Sequence, residues 1–182
     1  MIDHTALKAE TTPAQIEALC REAMEYRFAS VCVNPVYVSV VSHLLEDTDV
    51  KSCTVVGFPL GAATTANKVA EAREAIRLGA TEIDMVLWIG GLKAGQDVWV
   101  REDIARVAET CREGGAILKV IMECALLDDD EKKRACVLCF EAGAQFVKTS
   151  TGFGPGGATV EDVRLLSRLA KPVGVGVKAA GG

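Results

Sequence analysis

Short apolar runs alternate with longer amphipathic stretches from one end of this chain to the other. The runs at Ser30–Val33, Cys53–Phe58, Glu82–Val86, Ile117–Met122, Phe146–Thr149 and Val173–Lys178 have the length and residue types of strands, and a shorter one is expected at Ile2–Thr5. The intervening stretches carry helix signals. Thr12-Pro13-Ala14-Gln15 offers an N-cap, a proline at the first helical position and a glutamine two residues on. A helix rich in Ala, Glu, Lys and Arg runs from Thr64 to Leu78 and stops at Gly79; another runs from Asp128 to Ala142 and stops at Gly143. Thr159-Val160-Glu161-Asp162 opens a helix with an acidic first turn, which ends before Pro172. Repeated strand–helix–strand units imply an α/β fold with a parallel sheet and right-handed crossovers. No linker or low-complexity segment interrupts the 182 residues, so residues 1–182 are read as one domain.

The strand interiors carry charges that such a sheet should not tolerate. Asp84 sits in Ile83-Asp84-Met85-Val86, Lys119 in Leu118-Lys119-Val120-Ile121, Lys148 follows Phe146-Val147, and Lys178 ends Val175-Gly176-Val177-Lys178. Parallel strands are normally covered on both faces and almost wholly apolar, and a buried unpaired charge is costly. A single such residue could be a strand end reaching water. Recurrence in successive strands points to a site. The offset recurs as well, because Gly79, Gly114 and Gly143 each precede an ionisable side chain (Asp84, Lys119, Lys148) by five residues, which would set the three at similar heights.

Buried amines suggest a specific chemistry. A lysine is a poor nucleophile while protonated, but burial and a neighbouring cation both favour the neutral amine, which can attack a carbonyl. Lys148 and Lys178 end consecutive strands, about 4.8 Å apart if those strands pair. The expectation is that Lys178 keeps Lys148 uncharged and ready to form a Schiff base, with Asp84 relaying protons.

Composition removes other classes. A net charge of −5 argues against nucleic acid or an anionic membrane as a partner. No run approaches the roughly 20 apolar residues of a membrane span, and the N-terminus has no signal-peptide pattern, so a cytoplasmic protein is expected. The seven scattered cysteines read as reduced, buried thiols. The single C-x-x-C, Cys136 and Cys139, falls mid-helix and far in sequence from both histidines, so helix packing is expected of it and not a zinc or redox role. Gly152-Phe153-Gly154-Pro155-Gly156-Gly157 contains G-x-G-x-x-G, but a dinucleotide site would need an acidic residue at the end of the next strand, where Lys178 stands. The same glycines suit a substrate-phosphate loop.

These residues resemble a known family. Lys148-Thr149-Ser150-Thr151-Gly152-Phe153-Gly154 resembles the Schiff-base lysine motif of deoxyribose-phosphate aldolases, and Ile2-Asp3-His4-Thr5, Val56-Gly57-Phe58-Pro59-Leu60-Gly61, Glu82-Ile83-Asp84-Met85-Val86, Leu118-Lys119-Val120-Ile121 and Val177-Lys178-Ala179-Ala180-Gly181-Gly182 resemble other family blocks, in family order. The resemblance implies a (β/α)8 TIM barrel that cleaves 2-deoxy-D-ribose 5-phosphate reversibly to acetaldehyde and glyceraldehyde 3-phosphate, without metal or cofactor. It makes Lys148 the Schiff-base residue, Lys178 the lysine that tunes it and Asp84 part of the proton relay. Thr151, Gly152, Gly181 and Gly182 fall at the phosphate grip, and Asp3, Thr5, Cys32 and Lys119 around the active site. All would lie at the C-terminal mouth of the barrel. The implied partners are small sugar phosphates and aldehydes, and a homo-oligomer (dimer or tetramer) is expected. The alternatives are another class I sugar-phosphate aldolase of this fold or an inactive truncated fragment.

One departure stands out. The family continues past the final Gly-Gly through an eighth strand and a closing helix, whereas this sequence stops at Gly182, so a barrel missing its eighth strand and last helix is expected. Such a chain should fold poorly and bind phosphate weakly; adding a C-terminal segment should raise Tm and lower KM, and equal values for the two forms would refute this.

Overall fold

The computed structural model describes residues 1–181. Its strands are β1 (Asp3–Ala6), β2 (Ser30–Val33), β3 (Lys51–Val56), β4 (Glu82–Val86), β5 (Ile117–Ile121), β6 (Phe146–Lys148) and β7 (Gly176–Lys178). All pair in parallel, in chain order from β1 to β7. The helices between them are α1 (Pro13–Glu25), α2 (Val38–Leu44), α3 (Thr65–Arg77), α4 (Ile89–Lys93), α5 (Asp97–Glu113), α6 (Asp129–Glu141) and α7 (Val160–Ala170).

The sheet is strongly curled. Four strand spacings of about 4.8 Å would separate β1 from β5 by roughly 19 Å on a flat sheet. Yet Asp3 on β1 and Lys119 on β5 meet at 3.6 Å. The architecture is that of the (β/α)8 barrel, with seven strands of the wall among the described residues.

Side-chain alternation explains how strands with charges in them can form this wall. Successive residues of a strand point to opposite faces. Ile83, Met85, Leu118, Val120 and Val147 point outward, into one core with Ala75 of α3, Ile104 and Val107 of α5, Cys139 of α6 and Leu166 of α7. Val31 and Val33 do the same against Ile16 and Cys20 of α1 and Val41 of α2. The residues between them (Glu82, Asp84, Lys119 and Lys148) face the barrel interior. Each large apolar side chain buried outside contributes roughly 1.5–3 kcal/mol, which offsets the cost of holding charges inside.

The caps explain most helix starts. Thr12 and Gln15 form a reciprocal capping box on α1, as Asp128 and Glu131 do on α6, while Thr64 and Thr159 cap α3 and α7. The sequence gives no such signal for α5, whose flanking Gln96 makes no capping hydrogen bond. Two strands depart most from their expected bounds: β3 keeps its six residues but lies two positions earlier, and β7 is shortened. β3 stops at Val56, because Gly57 takes a positive φ and gives its N–H to the Glu71 carboxylate at 2.7 Å. The expected strand from Val173 becomes a single 3-10 turn, Lys171–Val173, closed by Gly174 in a left-handed conformation, so β7 begins only at Gly176. The seven cysteines are free and buried, and burial alone pushes the Cys111 thiol up to about 12.

One ion pair locks the helical shell to the strands. Lys68 of α3 is fully buried, 2.6 Å from Asp103 of α5, and also donates to the Val86 carbonyl at the end of β4 at 3.1 Å. Thr65 Oγ1 donates to the other Asp103 oxygen at 2.8 Å. Removing one partner strands the other charge in a dry interior, whereas replacing both with apolar residues does not. Lys68→Met should therefore destabilise the fold by about 3–5 kcal/mol in urea unfolding, and Lys68→Met/Asp103→Leu should recover most of that loss. A single variant within ~1 kcal/mol of wild type would show that the pair is not what holds this corner.

Candidate active site

Inside the barrel the charged side chains form one connected network. Lys148 Nζ donates to Asp84 Oδ2 at 2.6 Å, and Lys119 Nζ donates to Asp84 Oδ1 at 2.9 Å. Lys119 is also 2.6 Å from Glu82 Oε2, a contact close enough for an ion pair but not aligned as a hydrogen bond. Lys178 Nζ lies 3.0 Å from Asp3 Oδ2. The cations Lys119, Lys148 and Lys178 are thus matched by Asp3, Glu82 and Asp84. Cys53 joins this centre: its thiol donates to Asp84 Oδ1 at 3.3 Å, and Lys119 Nζ lies 3.4 Å from its sulfur.

The strand register accounts for this convergence. Asp84 on β4 pairs directly with Lys119 on β5, so the two share a height, as the repeated glycine offset predicts. Lys148 does not share it. It pairs with Ile121, two residues beyond Lys119, and reaches Asp84 from higher up the barrel. Lys148 and Lys178 are direct register partners on β6 and β7, as expected.

Their electrostatics differ from the expectation. Burial lowers the Lys148 pKa, but the Asp84 charge beside it, helped by its hydrogen bond, outweighs burial and leaves the pKa raised. Lys178, which was to crowd Lys148 into neutrality, instead directs its ammonium to Asp3. For Asp84 the order is similar: burial raises its pKa, yet Lys148 and Lys119 together hold it below the usual carboxylate value. Lys119 is raised too, because Cys53, Asp84, Glu82 and Asp3 outweigh its desolvation. In this arrangement Lys148 is an ammonium paired with a carboxylate.

The site opens into a cavity of about 580 Å³, lined by Asp3, Thr5, Lys148, Thr151, Gly152, Lys178 and Gly181 among others. That volume is within the usual range for a small-molecule site. The cavity lies in the gap between the edge strands β1 and β7, lined from Met1 and Ile2 before β1 to Leu7 and Lys8 beyond it, and by Lys178 to Gly181 on the other side. Two loops border it. Gly152 and Gly181 both have positive φ, and a side chain on Gly152 would come 3.6 Å from Gly181 Cα. Among the described residues, the N–H groups of Gly152, Gly154 and Gly181 donate to no protein acceptor, and of these three Gly152 and Gly181 line the cavity. Thr149 ties the loops together, accepting from Ala180 N at 3.1 Å.

The structure brings most of the expected residues to one place. Lys148, Lys119, Asp84, Cys32 and Thr151 are buried there; Asp3 and Lys178 are half-buried. Thr5 borders the cavity but is exposed, and its hydroxyl donates to the Asp3 carbonyl at 2.9 Å. Gly182 lies outside the described residues. Three participants were not singled out from the sequence: Glu82, Cys53 and Glu123. Strand parity points to two of them, since Glu82 is two before Asp84 and Glu123 is four after Lys119. Cys53 gives no such signal, being one apolar-looking residue in an apolar run. Cys32, Cys53 and Asp84 bring potential metal-ligand atoms within 4.8 Å of one another, but Lys119 and Lys148 already occupy both Asp84 oxygens and would repel a cation.

A (β/α) barrel that gathers buried lysines and a carboxylate beside glycine-lined loops is the architecture of an aldolase-type barrel enzyme. The chain belongs to the DeoC/LacD aldolase family, whose model matches residues 1–182. It is 55% identical over 183 residues to the deoxyribose-phosphate aldolase of Caldanaerobacter subterraneus subsp. tengcongensis, covering 100% of this chain and 79% of that protein. The deoxyribose-phosphate aldolase of Exiguobacterium sibiricum is 58% identical over 183 residues, with 100% and 81% covered. The tetrameric deoxyribose phosphate aldolase of Aeropyrum pernix superposes with a TM-score of 0.91 at 38% identity, over 99% of this chain and 75% of that one.

The pKa directions make a pH prediction. Asp84, with a depressed pKa, contributes stability above its ordinary value of 3.8 and loses it as pH falls through the folded-state value; Lys148, with a raised pKa, contributes below 10.5 and loses it as pH rises through its folded-state value. Asp84→Asn should therefore be less stable than wild type across the whole interval between those values, with the difference narrowing in acid and again as pH rises through the folded-state value of Lys148. It should also shift the pH midpoint for acylation of Lys148, followed by peptide mass spectrometry, downward. An unchanged midpoint would show that Asp84 does not control that amine.

Proposed function

We propose that this chain is a class I aldolase that cleaves 2-deoxy-D-ribose 5-phosphate reversibly to acetaldehyde and D-glyceraldehyde 3-phosphate through a Schiff base on Lys148. The observation that carries this reading is a buried lysine amine at the end of β6, facing a cavity and bonded to a fully buried carboxylate at 2.6 Å. The names of its relatives supply the substrate.

The chemistry follows from the pairing. As the sugar fills the cavity it displaces water, which disfavours the charge-separated Lys148–Asp84 pair and moves the proton to Asp84. The neutral amine adds to the C1 aldehyde, and loss of water leaves an iminium. The C2–C3 bond then breaks, with its electrons flowing into the iminium to leave an enamine while a base takes the C3 hydroxyl proton; C3 becomes the aldehyde carbon of glyceraldehyde 3-phosphate, which leaves. Asp84 and Lys178 are the nearby groups able to exchange protons. Protonation of the remaining enamine and hydrolysis release acetaldehyde. Lys119, held by Asp84, Glu82 and Asp3, stays an ammonium and fixes the Asp84 orientation. Asp3 anchors Lys178, while Thr5 and Cys32 border the reacting carbon chain. The substrate phosphate is held by Gly152, Gly181 and Gly182, with Thr151 shaping their loop.

In this reading residues 1–182 act as one (β/α) barrel domain with small sugar phosphates and aldehydes as ligands. The charge of −5 is in keeping with an enzyme that binds neither nucleic acid nor an anionic membrane, and a cytoplasmic location is part of the proposal; among the described residues no helix is long and apolar enough to cross a membrane. The tetrameric A. pernix relative supports homo-oligomerisation.

Borohydride reduction in the presence of acetaldehyde should leave a stable ethyl adduct on Lys148, located by peptide mass spectrometry. Lys148→Leu should form no adduct and lose activity by roughly a thousandfold or more. A folded wild-type protein with no adduct, or an active Lys148→Leu variant, would overturn the assignment.

A further inference from the structure

Glu123 lies just past β5, two residues beyond Ile121, and has no part in the aldol chemistry above. It is buried, and its backbone takes a left-handed conformation (φ 53°, ψ 62°) that a non-glycine residue adopts only at some cost. Its carboxylate accepts the Thr151 N–H at 3.3 Å and the Thr151 hydroxyl through a short hydrogen bond. That hydroxyl in turn accepts the Phe153 N–H at 3.0 Å. On the far side of the carboxylate stands Gly154, where an added Cβ would lie 2.7 Å from Glu123 Cδ and 2.9 Å from Oε2. One side chain thus grips the loop at Thr151, reaches Phe153 through it, and fits only because position 154 has no side chain.

We infer that Glu123 is a positioning residue that sets the shape of the 151–154 loop and thereby makes the enzyme selective for a phosphorylated over an unphosphorylated sugar. The inference rests on the proposed aldolase activity and on the phosphate seat at that loop. The carboxylate engages the Thr151 N–H and, through the hydroxyl, the Phe153 N–H. The N–H groups of Gly152 and Gly154, which alternate with those two, have no protein acceptor among the described residues. The Thr151 and Phe153 amides are therefore tied inward on either side of Gly152, which lines the cavity and keeps its N–H for the anion. No basic side chain forms an ion pair with Glu123 among the described residues, so the carboxylate holds the loop through hydrogen bonds and fit, while the Schiff-base network meets at Asp84, reached from the other side of β5 by Lys119.

The test compares 2-deoxyribose 5-phosphate with unphosphorylated 2-deoxyribose. Glu123→Ala leaves two buried donors unpaired and should raise KM for the phosphorylated sugar about tenfold or more, while changing kcat/KM for 2-deoxyribose less than about threefold. Glu123→Gln keeps one acceptor oxygen and should fall between wild type and Glu123→Ala. Gly154→Ala disturbs the same contact without removing a hydrogen-bonding group, so it should reproduce the selective KM increase even if Glu123→Ala folds poorly. Equal losses on both sugars in Gly154→Ala and Glu123→Gln, or an unchanged KM for the phosphorylated sugar, would overturn the inference. Failure of the aldolase reading looks different, since wild-type protein would then cleave neither sugar and trap no acetaldehyde on Lys148.

Discussion

Everything in this molecule is arranged around a charge-balanced cluster held out of water. Three ammonium groups, on Lys119, Lys148 and Lys178, are matched by the carboxylates of Asp3, Glu82 and Asp84. Any one of these groups alone would be prohibitively costly at this depth; together they are tolerable because each finds an opposite charge within about hydrogen-bond reach. The members come from β1, β4, β5, β6 and β7, so the cluster exists only when the sheet is curled and in register. Reactivity and architecture are therefore not separable here. The same contacts that neutralise the interior hold Lys148 against the group that can take its proton.

Much of this is legible in the amino-acid sequence. Alternation of runs and capped helices carries the fold class, and the charges at Asp84, Lys119, Lys148 and Lys178 point to the candidate site, because an ionised residue between apolar neighbours is conspicuous in a parallel strand. The failures were of geometry. Lys178 and Lys148 are register partners, as expected, but a strand pairing says where backbones lie and not where flexible four-carbon stems point. The Lys178 amine goes to Asp3, at the opposite edge of the sheet and 175 residues away in sequence. Cys53 was invisible because a thiol in an apolar run looks like core until a carboxylate is found beside it. The helix α5 lacked a capping side chain, and tertiary packing rather than local signal fixes its start.

Support for the cluster comes from outside the barrel. Lys68 and Asp103 join α3 to α5 and reach the carbonyl of Val86, two residues beyond Asp84 on the same strand. Phe58, in the loop after β3, meets Phe153 of the glycine loop edge to face, with ring centroids 5.2 Å apart. The loops at the mouth are thus braced against one another by an aromatic contact on one side and by the Glu123 carboxylate on the other.

The strict division of each strand between a greasy outward row and an ionised inward row has a further effect. Sliding β4 by one position against its neighbours would push Glu82 and Asp84 into the apolar layer that holds Ala75 and Ile104, and turn Ile83 and Met85 toward the ammonium groups. Misaligned pairings are thereby heavily penalised during assembly. A sheet whose two faces were equally apolar would have no such way of telling one alignment from the next, and the buried charged residues thus also act as its proofreaders.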